Sequence, residues 1–547
     1  MYQQNFNPTG SLLLSALLAA LPLATVLVLL GVLKWKAHWA GLAALAVGLV
    51  VAVAAYKMPV GQALDAGLFG AARSILLILW ITFNAIWIYN LTVKSGHFAV
   101  LQRAFSGISD DQRIQAIVIA FCFGALIEAL AGGGSPIAIC AIMLIAVGFD
   151  PLKAAALALV ANTAPVAFGG MGNPITILGG APINLDPEQV GAMAGRQTAF
   201  IAIFVPFILL FIADGRRGLR QAWPAALVAG LSFGATQIFV SSAFDYRLTD
   251  IAASLVSAVV LIVFGKLWRP SERVLPVPTI AGGSVDDPAF VRKHGSPAGD
   301  TRADRILAFA PYAIIIVLFS LSVIEPIKTW LSSGWRTYKF LWPGAHIAKP
   351  NGDGLKVEYV LNWASAPGTL LFISGILTFL VLRIGVGTAI KTYGETLRQF
   401  GWAIVTILAV FALAFVMQYS GQIQTLGLFL AGAGAFFAFL SPVVGWFGVA
   451  ITGTDAGSNA LFGVLQTTAA GKLGESPILF GAANSSGGVM AKMISPQSLA
   501  IGAAAVGIVG KEGEMFRRVV GWSALLLLGL CVIVYLESTP VLGWLVP

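Results

Sequence analysis

The sequence carries little charge for its length. Only 10% of its 547 residues are charged, whereas 58% are hydrophobic, and the mean hydropathy is +0.87. A soluble domain carries roughly a quarter charged residues, so the composition excludes an ordinary soluble protein. Residues 12–33 form an apolar run without any charge, and about 20 helical residues are enough to cross a bilayer. The sequence therefore predicts an all-α polytopic membrane protein.

Cysteine and catalytic motifs are scarce as well. Cys122, Cys140 and Cys531 lie in apolar surroundings without paired or metal-ligand spacing, which predicts neither a disulfide framework nor a metal centre. The sequence contains no HExxH and no GxxxxGK[ST] motif, which argues against a zinc hydrolase and an ATP-driven pump. We therefore expect a protein that is not an enzyme and that needs no cofactor.

The net charge of +9 is spread over short loops. In a membrane protein such a bias reports topology rather than a nucleic-acid partner. Lys34 and Lys36 follow the first apolar run, and Lys94, Arg103 and Arg113 follow the third, which predicts an N-terminus outside the cell. The opening stretch MYQQNFNPTG lacks the basic segment of a cleaved signal peptide, so we expect the first span to be retained. Along the whole chain, apolar runs and loop charges predict about 12 transmembrane helices.

Two apolar regions are too long for one span and contain polar breaks. Residues 114–149 are interrupted by AGGGSP, and residues 427–473 by TGTDAGSN. Both regions predict re-entrant hairpins, because irregular backbone at membrane depth is tolerated where protein or water satisfies it. Residues 154–181 and 478–509 contain ANTAPVAFGGMGNPI and ANSSGGVMAKMISPQ. These motifs predict two discontinuous helices, and we expect the second to break at its Asn-Ser-Ser-Gly-Gly run.

The two asparagine-led motifs resemble each other. Asn162 and Asn484 lie 322 positions apart (484 − 162), as do Pro174 and Pro496 (496 − 174). Each motif belongs to a predicted unit of spans plus one hairpin, and the spans between the units turn the second unit upside down. The pattern predicts an inverted-topology repeat that binds its substrate near the membrane midplane. The predicted units are residues 1–221 and 306–547, with linker spans and a cytoplasmic loop at 222–305.

Helix breaks at membrane depth leave backbone groups without partners, and N-terminal helix ends attract carboxylates. The short polar side chains at the breaks could bind such a ligand, or they could simply cap the broken helices. A lysine at membrane depth is costly unless it is paired or functional. Lys492 could therefore meet an anionic substrate, pair with an acid or reach the membrane interface. The candidate substrate-binding residues are Gly133, Gly134, Ser135, Asn162, Thr163, Asn173, Ser458, Asn459, Asn484, Ser485, Ser486 and Lys492.

Glu128 and Asp455 are the candidate proton-coupling residues. Glu128 precedes the first hairpin tip by a few residues, and Asp455 lies in the second tip. Burial drives a carboxylate toward its neutral form, which suits a group that loads and releases a proton near neutral pH. Each acid could instead form a structural ion pair with Lys492 or accept hydrogen bonds from hairpin amides.

Several long runs of the sequence carry a family resemblance. They include IEALAGGGSPIAI, ALVANTAPVAFGGMGNPI, TGTDAGSNALFG and ANSSGGVMAKMISPQSLAI. In these runs, and over nearly the full chain, the sequence resembles the L-lactate permease family. The resemblance implies uptake of lactate, often also of glycolate and the other lactate enantiomer, with protons across the bacterial inner membrane. It also implies an inverted-repeat transporter that works by elevator motion as a homodimer. Gly133 and Asn173 differ from the family's usual residues, which leaves the preferred 2-hydroxy acid open.

We therefore expect a secondary transporter that couples proton entry to uptake of L-lactate and related 2-hydroxymonocarboxylates, with D-lactate and glycolate included. The alternative is a sodium-coupled carboxylate or dicarboxylate symporter of the same architecture. A membrane-bound enzyme or sensor is disfavoured, because the polar residues within the apolar runs follow the repeats rather than a catalytic set. The expected partners are a small carboxylate, protons, the lipid bilayer and a second copy of the chain, with no nucleic acid.

Overall fold

A computed structural model describes residues 1–29, 33, 35–106, 108–131, 134–180, 183–274, 300–322, 324–508 and 510–547. Gly133 and most of the predicted cytoplasmic loop lie outside these residues. Helices follow one another along nearly the whole described chain. This arrangement confirms the predicted all-α membrane fold.

Most of the helices are joined by short connections. In the first half they are α1 (Leu12–Leu27), α2 (Ala37–Ala54), α3 (Val60–Ser74), α4 (Trp80–Lys94), α5 (His97–Ser106), α6 (Gln112–Ala116), α7 (Gly124–Ala131), α8 (Ser135–Ala146), α9 (Pro151–Ala161), α10 (Gly169–Gly179), α11 (Pro187–Ala243) and α12 (Thr249–Leu267). In the second half they are α13 (Arg302–Ser322), α14 (Glu325–Ser332), α15 (Pro367–Val381), α16 (Val386–Ser420), α17 (Gln422–Leu430), α18 (Phe437–Thr452), α19 (Asp455–Leu473), α20 (Pro477–Ala491), α21 (Pro496–Ala505) and α22 (Glu512–Glu537). Wider π-helical turns occupy Ile75–Leu79 and Ile117–Phe123, and 3-10 turns occupy Val166–Phe168, Tyr246–Leu248, Gly334–Arg336, Ala431–Phe436, Lys492–Ile494 and Gly543–Leu545.

Polar caps followed by proline fix the starts of several helices. Asp150, Asp186, Ser476 and Ser495 each accept a hydrogen bond from a backbone N–H in the first turn, and a proline follows each of them. The side-chain oxygen satisfies one of the N–H groups that have no partner within the helix. Proline fits the first helical position because no N–H is needed there. These caps place the starts of α9 and α20, which carry the two asparagine-led motifs.

Four short strands lie outside the helices, and the sequence analysis did not predict them. β1 (Tyr2–Gln3) pairs in parallel with β3 (Ile347–Ala348), and β2 (Tyr338–Leu341) pairs antiparallel with β4 (Glu358–Leu361). The parallel pair joins the N-terminus to the polar stretch 325–368. Both segments therefore lie on one face of the protein, and the predicted topology places the N-terminus outside the cell. We call this the strand-bearing face.

Among the described residues, seven helical runs are long and apolar enough to cross a membrane. Pro151–Ala161 and Val166–Gly179 would make an eighth span, bent by 63° at the break between them. Four shorter apolar helices have 10–17 residues: Leu12–Val26, His38–Ala54, Pro136–Ala146 and Pro367–Val381. The number of about 12 crossings, the two hairpins and the inverted repeat therefore stay predictions.

Parts of the first hairpin region and of both broken helices form the buried centre of the protein. Every residue of Ile117–Phe123 is buried, as is every residue of 154–161 and of 478–491. Outer helices instead expose large apolar side chains, such as Leu17 and Phe239. Exposed apolar side chains in this number suit a surface that faces lipid rather than water.

Charged residues gather at the start of α6, beside the kink in the middle of α11 at Asp214 and Gly215, and just after the end of α12. Arg113 donates to Asp111 at 2.8 Å, to Asp214 at 3.2 Å and to the side chain of Gln221 at 2.7 Å. Gln221 also donates to Glu272 at 3.0 Å, which lowers the pKa of Glu272 below its ordinary value. The network joins the connections that the topology prediction places together on the inner side.

The second helix break lies later than the sequence analysis predicted. The run Asn484–Gly488 does not interrupt the helix, because α20 continues to Ala491 with these residues buried inside it. The prediction was wrong because polar side chains were taken for capping groups, although they bond to a neighbouring helix instead. The chain breaks at the 3-10 turn Lys492–Ile494, and Ser495 then caps α21.

The first half breaks at the corresponding place and also earlier. α9 ends at Ala161, and Gly170, Met171 and Gly172 within α10 adopt left-handed backbone angles with φ of 53°, 62° and 66°. Such angles are unusual for a residue with a side chain such as Met171. At the offset of 322, these three residues correspond to Lys492–Ile494. Both halves thus interrupt the helix at the same register.

Candidate functional site

In the first half, a buried acid lies against the start of the helix break. Asn162 donates from Nδ2 to Oε2 of Glu128 at 2.9 Å, and the two residues are 2% and 3% exposed. A Cβ added to Gly169 would lie 2.9 Å from Oε1 of Glu128, so the glycine makes room for the carboxylate. Asn162 Oδ1 and the Thr163 hydroxyl are buried without a partner. Unpaired buried polar groups are uncommon and costly, which marks this break as a place where a ligand could bind.

The other candidate substrate-binding residues of the first half are Asn173, Gly134, Ser135 and Gly133, and they differ in their surroundings. Asn173 donates to the Thr82 hydroxyl at 3.2 Å, and its Oδ1 has no partner. Gly134 has a φ of 96°, and an added Cβ would collide with Ile501 of α21. Its role in the structure is therefore close packing between the halves. Ser135 begins α8, and Gly133 lies outside the described residues.

In the second half, the hairpin acid contacts α20. Asp455 follows Thr454, whose hydroxyl oxygen accepts a hydrogen bond from the N–H of Gly457 at 3.1 Å and caps α19. Ser485 donates to Oδ2 of Asp455 at 2.5 Å, whereas Oδ1 is buried without a partner. A Cβ added to Gly488 would lie 2.5 Å from that free oxygen. The carboxyl group therefore has one paired and one unpaired oxygen in a closely packed place.

Lys492 is buried beside the tip of the second hairpin. Its Nζ donates to the backbone oxygen of Gly453 at 3.1 Å, and the residue is 3% exposed. No described carboxylate lies within 4.0 Å of Nζ, and Asp455 in particular forms no ion pair with it. Among the described residues, this lysine therefore has no salt-bridge partner. An ammonium group that is held by one carbonyl keeps donors for an anion.

Asparagine side chains connect the second hairpin to both broken helices. Asn484 donates to Oδ1 of Asn459 at 2.8 Å and to Ser458 at 3.4 Å, and its own Oδ1 accepts from Gln466 at 3.1 Å. Asn459 donates in turn to the backbone oxygen of Pro174 at 3.1 Å. The network therefore joins α19 and α20 to the break in α10.

The structure brings most of the predicted residues together and adds some that were missed. Glu128 meets Asn162, and Asp455 meets Ser485, while Ser486 is buried with an unpartnered hydroxyl. Gln466, Ser441 and Thr82 were missed, although a glutamine or serine inside an apolar hairpin arm was a visible signal. Gln466 and Ser441 hydrogen-bond each other at 2.9 Å, which positions the amide that holds Asn484.

The arrangement offers donors and acceptors in separate halves. The second half provides the Lys492 ammonium and the Ser486 hydroxyl, whereas the first half provides the free oxygens of Asn162 and Asn173. Within the described part of the chain, no group of three or more His, Cys, Asp or Glu residues could hold a metal ion. The site is therefore suited chemically to a small anion that carries a hydroxyl group.

Comparison with known proteins identifies the family. A family model described as L-lactate permease matches residues 15–540. The chain belongs to the L-lactate permease family. The glycolate permease GlcA of Escherichia coli K12 is 41% identical to it over 564 residues, which cover 100% of this chain and 99% of that relative. The L-lactate permeases of Salmonella typhi and of Bacillus subtilis strain 168 are 39% and 38% identical, each over 100% of both chains. The solved structure of the Alcanivorax borkumensis YdaH transporter covers 84% of each chain at 15% identity, with a TM-score of 0.42.

Membership of the L-lactate permease family confirms three predictions. The protein is a permease for a small molecule and not an enzyme. It is a multi-pass protein of the bacterial inner membrane, in agreement with its apolar helices.

Proposed function

We propose that this member of the L-lactate permease family takes up L-lactate and related 2-hydroxymonocarboxylates, including D-lactate and glycolate, together with protons. The names of its full-length relatives, L-lactate permease and glycolate permease, support this substrate class. The observation that carries the proposal is Asp455, a buried carboxyl group with one unpaired oxygen at the hairpin tip that also holds Lys492.

The substrate carboxylate binds Lys492. When the anion arrives, the ammonium group keeps or exchanges its hydrogen bond to Gly453 and gives its remaining donors to the carboxylate, with the Ser486 hydroxyl as a second donor. A hydrogen bond to a charged group contributes about 1.5–3 kcal/mol. The substrate hydroxyl is then free to donate to an unpaired oxygen of the first half, at Asn162 or Thr163.

Charge balance at Lys492 and Asp455 accounts for proton coupling. With the site empty, the positive charge of the Lys492 ammonium and the negative charge of the Asp455 carboxylate cancel. When a substrate anion binds, the net charge of the site is zero only if Asp455 also takes up a proton. Glu128 accepts a hydrogen bond from Asn162 and has no role in this charge balance. Because a net charge at membrane depth is costly, the empty and fully loaded sites are the states that can move, which gives one proton per anion.

Proteoliposomes with purified protein test the proposal. We expect an inward pH gradient, acid outside, to drive accumulation of labelled L-lactate without sodium, and excess glycolate and D-lactate to compete. A dicarboxylate such as succinate should compete poorly, because a second negative charge has no partner at the site. Accumulation that requires a sodium gradient and ignores the pH gradient would establish the sodium-coupled alternative instead. Homodimer formation and elevator motion stay predictions.

A further inference from the structure

A cavity lined in part by polar side chains lies at the strand-bearing face, apart from Asp455 and Lys492. Its volume is about 390 Å³, within the range of small-molecule pockets. Neither Asp455 nor Lys492 lines it. The side chains that matter for its chemistry are those of Arg73, Thr176, Tyr246, Arg247, Asn362 and Ser365. The cavity therefore joins α3, α10 and the connection after β4.

Arg73 has no carboxylate partner among the described residues. Its Nε is buried without any hydrogen-bond partner, and its contact with the backbone oxygen of Val360 is long, at 3.4 Å. The guanidinium carbon lies 5.8 Å from the centre of the Tyr359 ring, and no described acid comes within 4.0 Å of its nitrogens. A guanidinium group binds carboxylates with paired N–H donors. Arg73 thus brings an uncompensated positive charge to the cavity wall.

Arg247 is the other cation of the cavity, and its charge is already compensated. It donates from Nε to Asp245 at 2.8 Å and from a terminal nitrogen to the same carboxylate at 2.7 Å. Its guanidinium also lies 5.3 Å from the centre of the Phe319 ring. The two arginines differ in this respect, so a free anion in the cavity would be attracted chiefly by Arg73.

The cavity reaches the first helix break through α10. Thr176 lines the cavity and donates to the backbone oxygen of Gly172 at 3.0 Å. The hydroxyl groups of Thr176 and Tyr246 also lie 3.0 Å apart. A Cβ added to Gly172 would lie 2.8 Å from the Tyr246 ring, so this ring separates the cavity from the left-handed segment. One helical turn thus connects the cavity wall to the break.

We propose that this cavity is a capture site for a small monocarboxylate arriving at the strand-bearing face. Arg73 binds the carboxylate with its terminal nitrogens, and Asn362 and Ser365 provide polar groups for a substrate hydroxyl. The identity of the anion as a 2-hydroxymonocarboxylate rests on the proposed function. Binding here raises the local concentration of substrate beside the break in α10, before the anion meets Lys492.

Transport kinetics test the role of Arg73. We expect Arg73→Gln to raise the KM for L-lactate uptake about tenfold, equivalent to about 1.4 kcal/mol, while the maximal rate stays within about twofold. Arg73→Lys keeps the charge, so its KM should lie between those of wild type and Arg73→Gln. The matched control is Lys339→Gln, which removes a positive charge from exposed β2 on the same face and should leave KM unchanged. Equal KM values for wild type and Arg73→Gln would overturn the capture site.

Thiol protection tests binding without relying on transport. The native cysteines are buried, so a membrane-impermeant methanethiosulfonate should report chiefly on Ser365→Cys. We expect 10 KM L-lactate to slow labelling of Ser365→Cys severalfold, but not of Ser333→Cys, which is exposed outside the cavity. If the wild type accumulates lactate but lactate does not slow labelling of Ser365→Cys, the capture site is overturned and the proposed function stands. Protection by lactate without wild-type accumulation would support the capture site and overturn the proposed function.

Discussion

The two halves of the protein place an acid against a broken helix in similar ways but give it different surroundings. Glu128 accepts from Asn162, and Asp455 accepts from Ser485, one register position further on at the offset of 322. The second half adds a buried ammonium at Lys492, where the first half has Gly170. A shared scaffold thus supports unequal chemistry, because the half with a cation and an unpaired carboxyl oxygen can compensate a change of charge.

The difference between the halves is tested most directly by replacing each acid in turn with its amide. We expect Asp455→Asn to abolish pH-gradient-driven accumulation of lactate, because the loaded and empty sites would then differ in net charge. Exchange of labelled for unlabelled lactate should persist, since the neutral amide resembles the protonated acid. Both activities can be measured in the same proteoliposomes.

Glu128→Gln is the matched variant in the first half. It keeps the size of the side chain and changes a group that has no role in the proposed charge balance, so accumulation should remain above about half of wild type. Loss of accumulation in Glu128→Gln together with normal accumulation in Asp455→Asn would reverse the assignment of the two halves.

Removal of the ammonium should have the next largest effect. We expect Lys492→Ala to lower the ratio of maximal rate to KM for lactate about a hundredfold, because a charge-assisted hydrogen bond to the substrate is lost. The protein should still reach the membrane in normal amount, as judged by quantitative immunoblotting. Lys472→Ala, at the exposed end of α19, is the control for loss of one lysine. Near-normal uptake by Lys492→Ala would rule out its contact with substrate.

Sequence patterns located the two asparagine-led motifs but not the place of the second break. The offset between Asn162 and Asn484 is visible in the sequence, and so are the isolated charges at Glu128, Asp455 and Lys492. The direction of a side chain depends on neighbours that are distant in sequence, and for that reason Asn484 looked like a helix cap. Its partners Asn459 and Gln466 belong to the preceding hairpin.

For a related reason, the sequence could not predict the strands or the cavity at the strand-bearing face. β1 is two residues long, and its partner β3 lies more than 300 positions away. Short segments carry no periodic pattern from which pairing could be inferred. The missing counter-ion of Arg73 became visible only from the structure.

The backbone of the first break can be tested at two neighbouring glycines. Gly170 and Gly172 both have positive φ, a conformation that costs an L-residue about 1–2 kcal/mol. A Cβ at Gly172 would additionally lie 2.8 Å from the ring of Tyr246, whereas a Cβ at Gly170 meets nothing closer than 3.9 Å. We expect Gly172→Ala to destabilise the protein by about 2–5 kcal/mol, since overpacking adds to the backbone cost.

Thermal unfolding in detergent would measure the difference between these variants. Gly170→Ala should lower the unfolding temperature by no more than half as much as Gly172→Ala. Equal shifts for the two variants would mean that the contact with Tyr246 adds nothing, and that the break tolerates movement of α10 against the ring.

The smallest expected effect concerns the substrate hydroxyl. Thr163 is fully buried with an unpartnered hydroxyl, so Thr163→Val should leave folding stability unchanged or slightly higher. If the lactate hydroxyl bonds to Thr163, the variant should raise KM for lactate about two- to tenfold, the range that one neutral hydrogen bond provides. KM for propionate, which lacks the hydroxyl, should not change.

Ser486→Ala is the counterpart in the second half, and it sharpens the comparison between the halves. Its hydroxyl is also buried and unpartnered, but the proposal directs it toward the carboxylate that lactate and propionate share. We therefore expect Ser486→Ala to raise both KM values by the same factor, whereas Thr163→Val changes their ratio. Competition of each acid against labelled lactate gives both constants. If Ser486→Ala alters the ratio of the two KM values and Thr163→Val does not, the substrate hydroxyl binds in the second half. The groups that bind the carboxylate and the hydroxyl would then both belong to the half that contains Lys492.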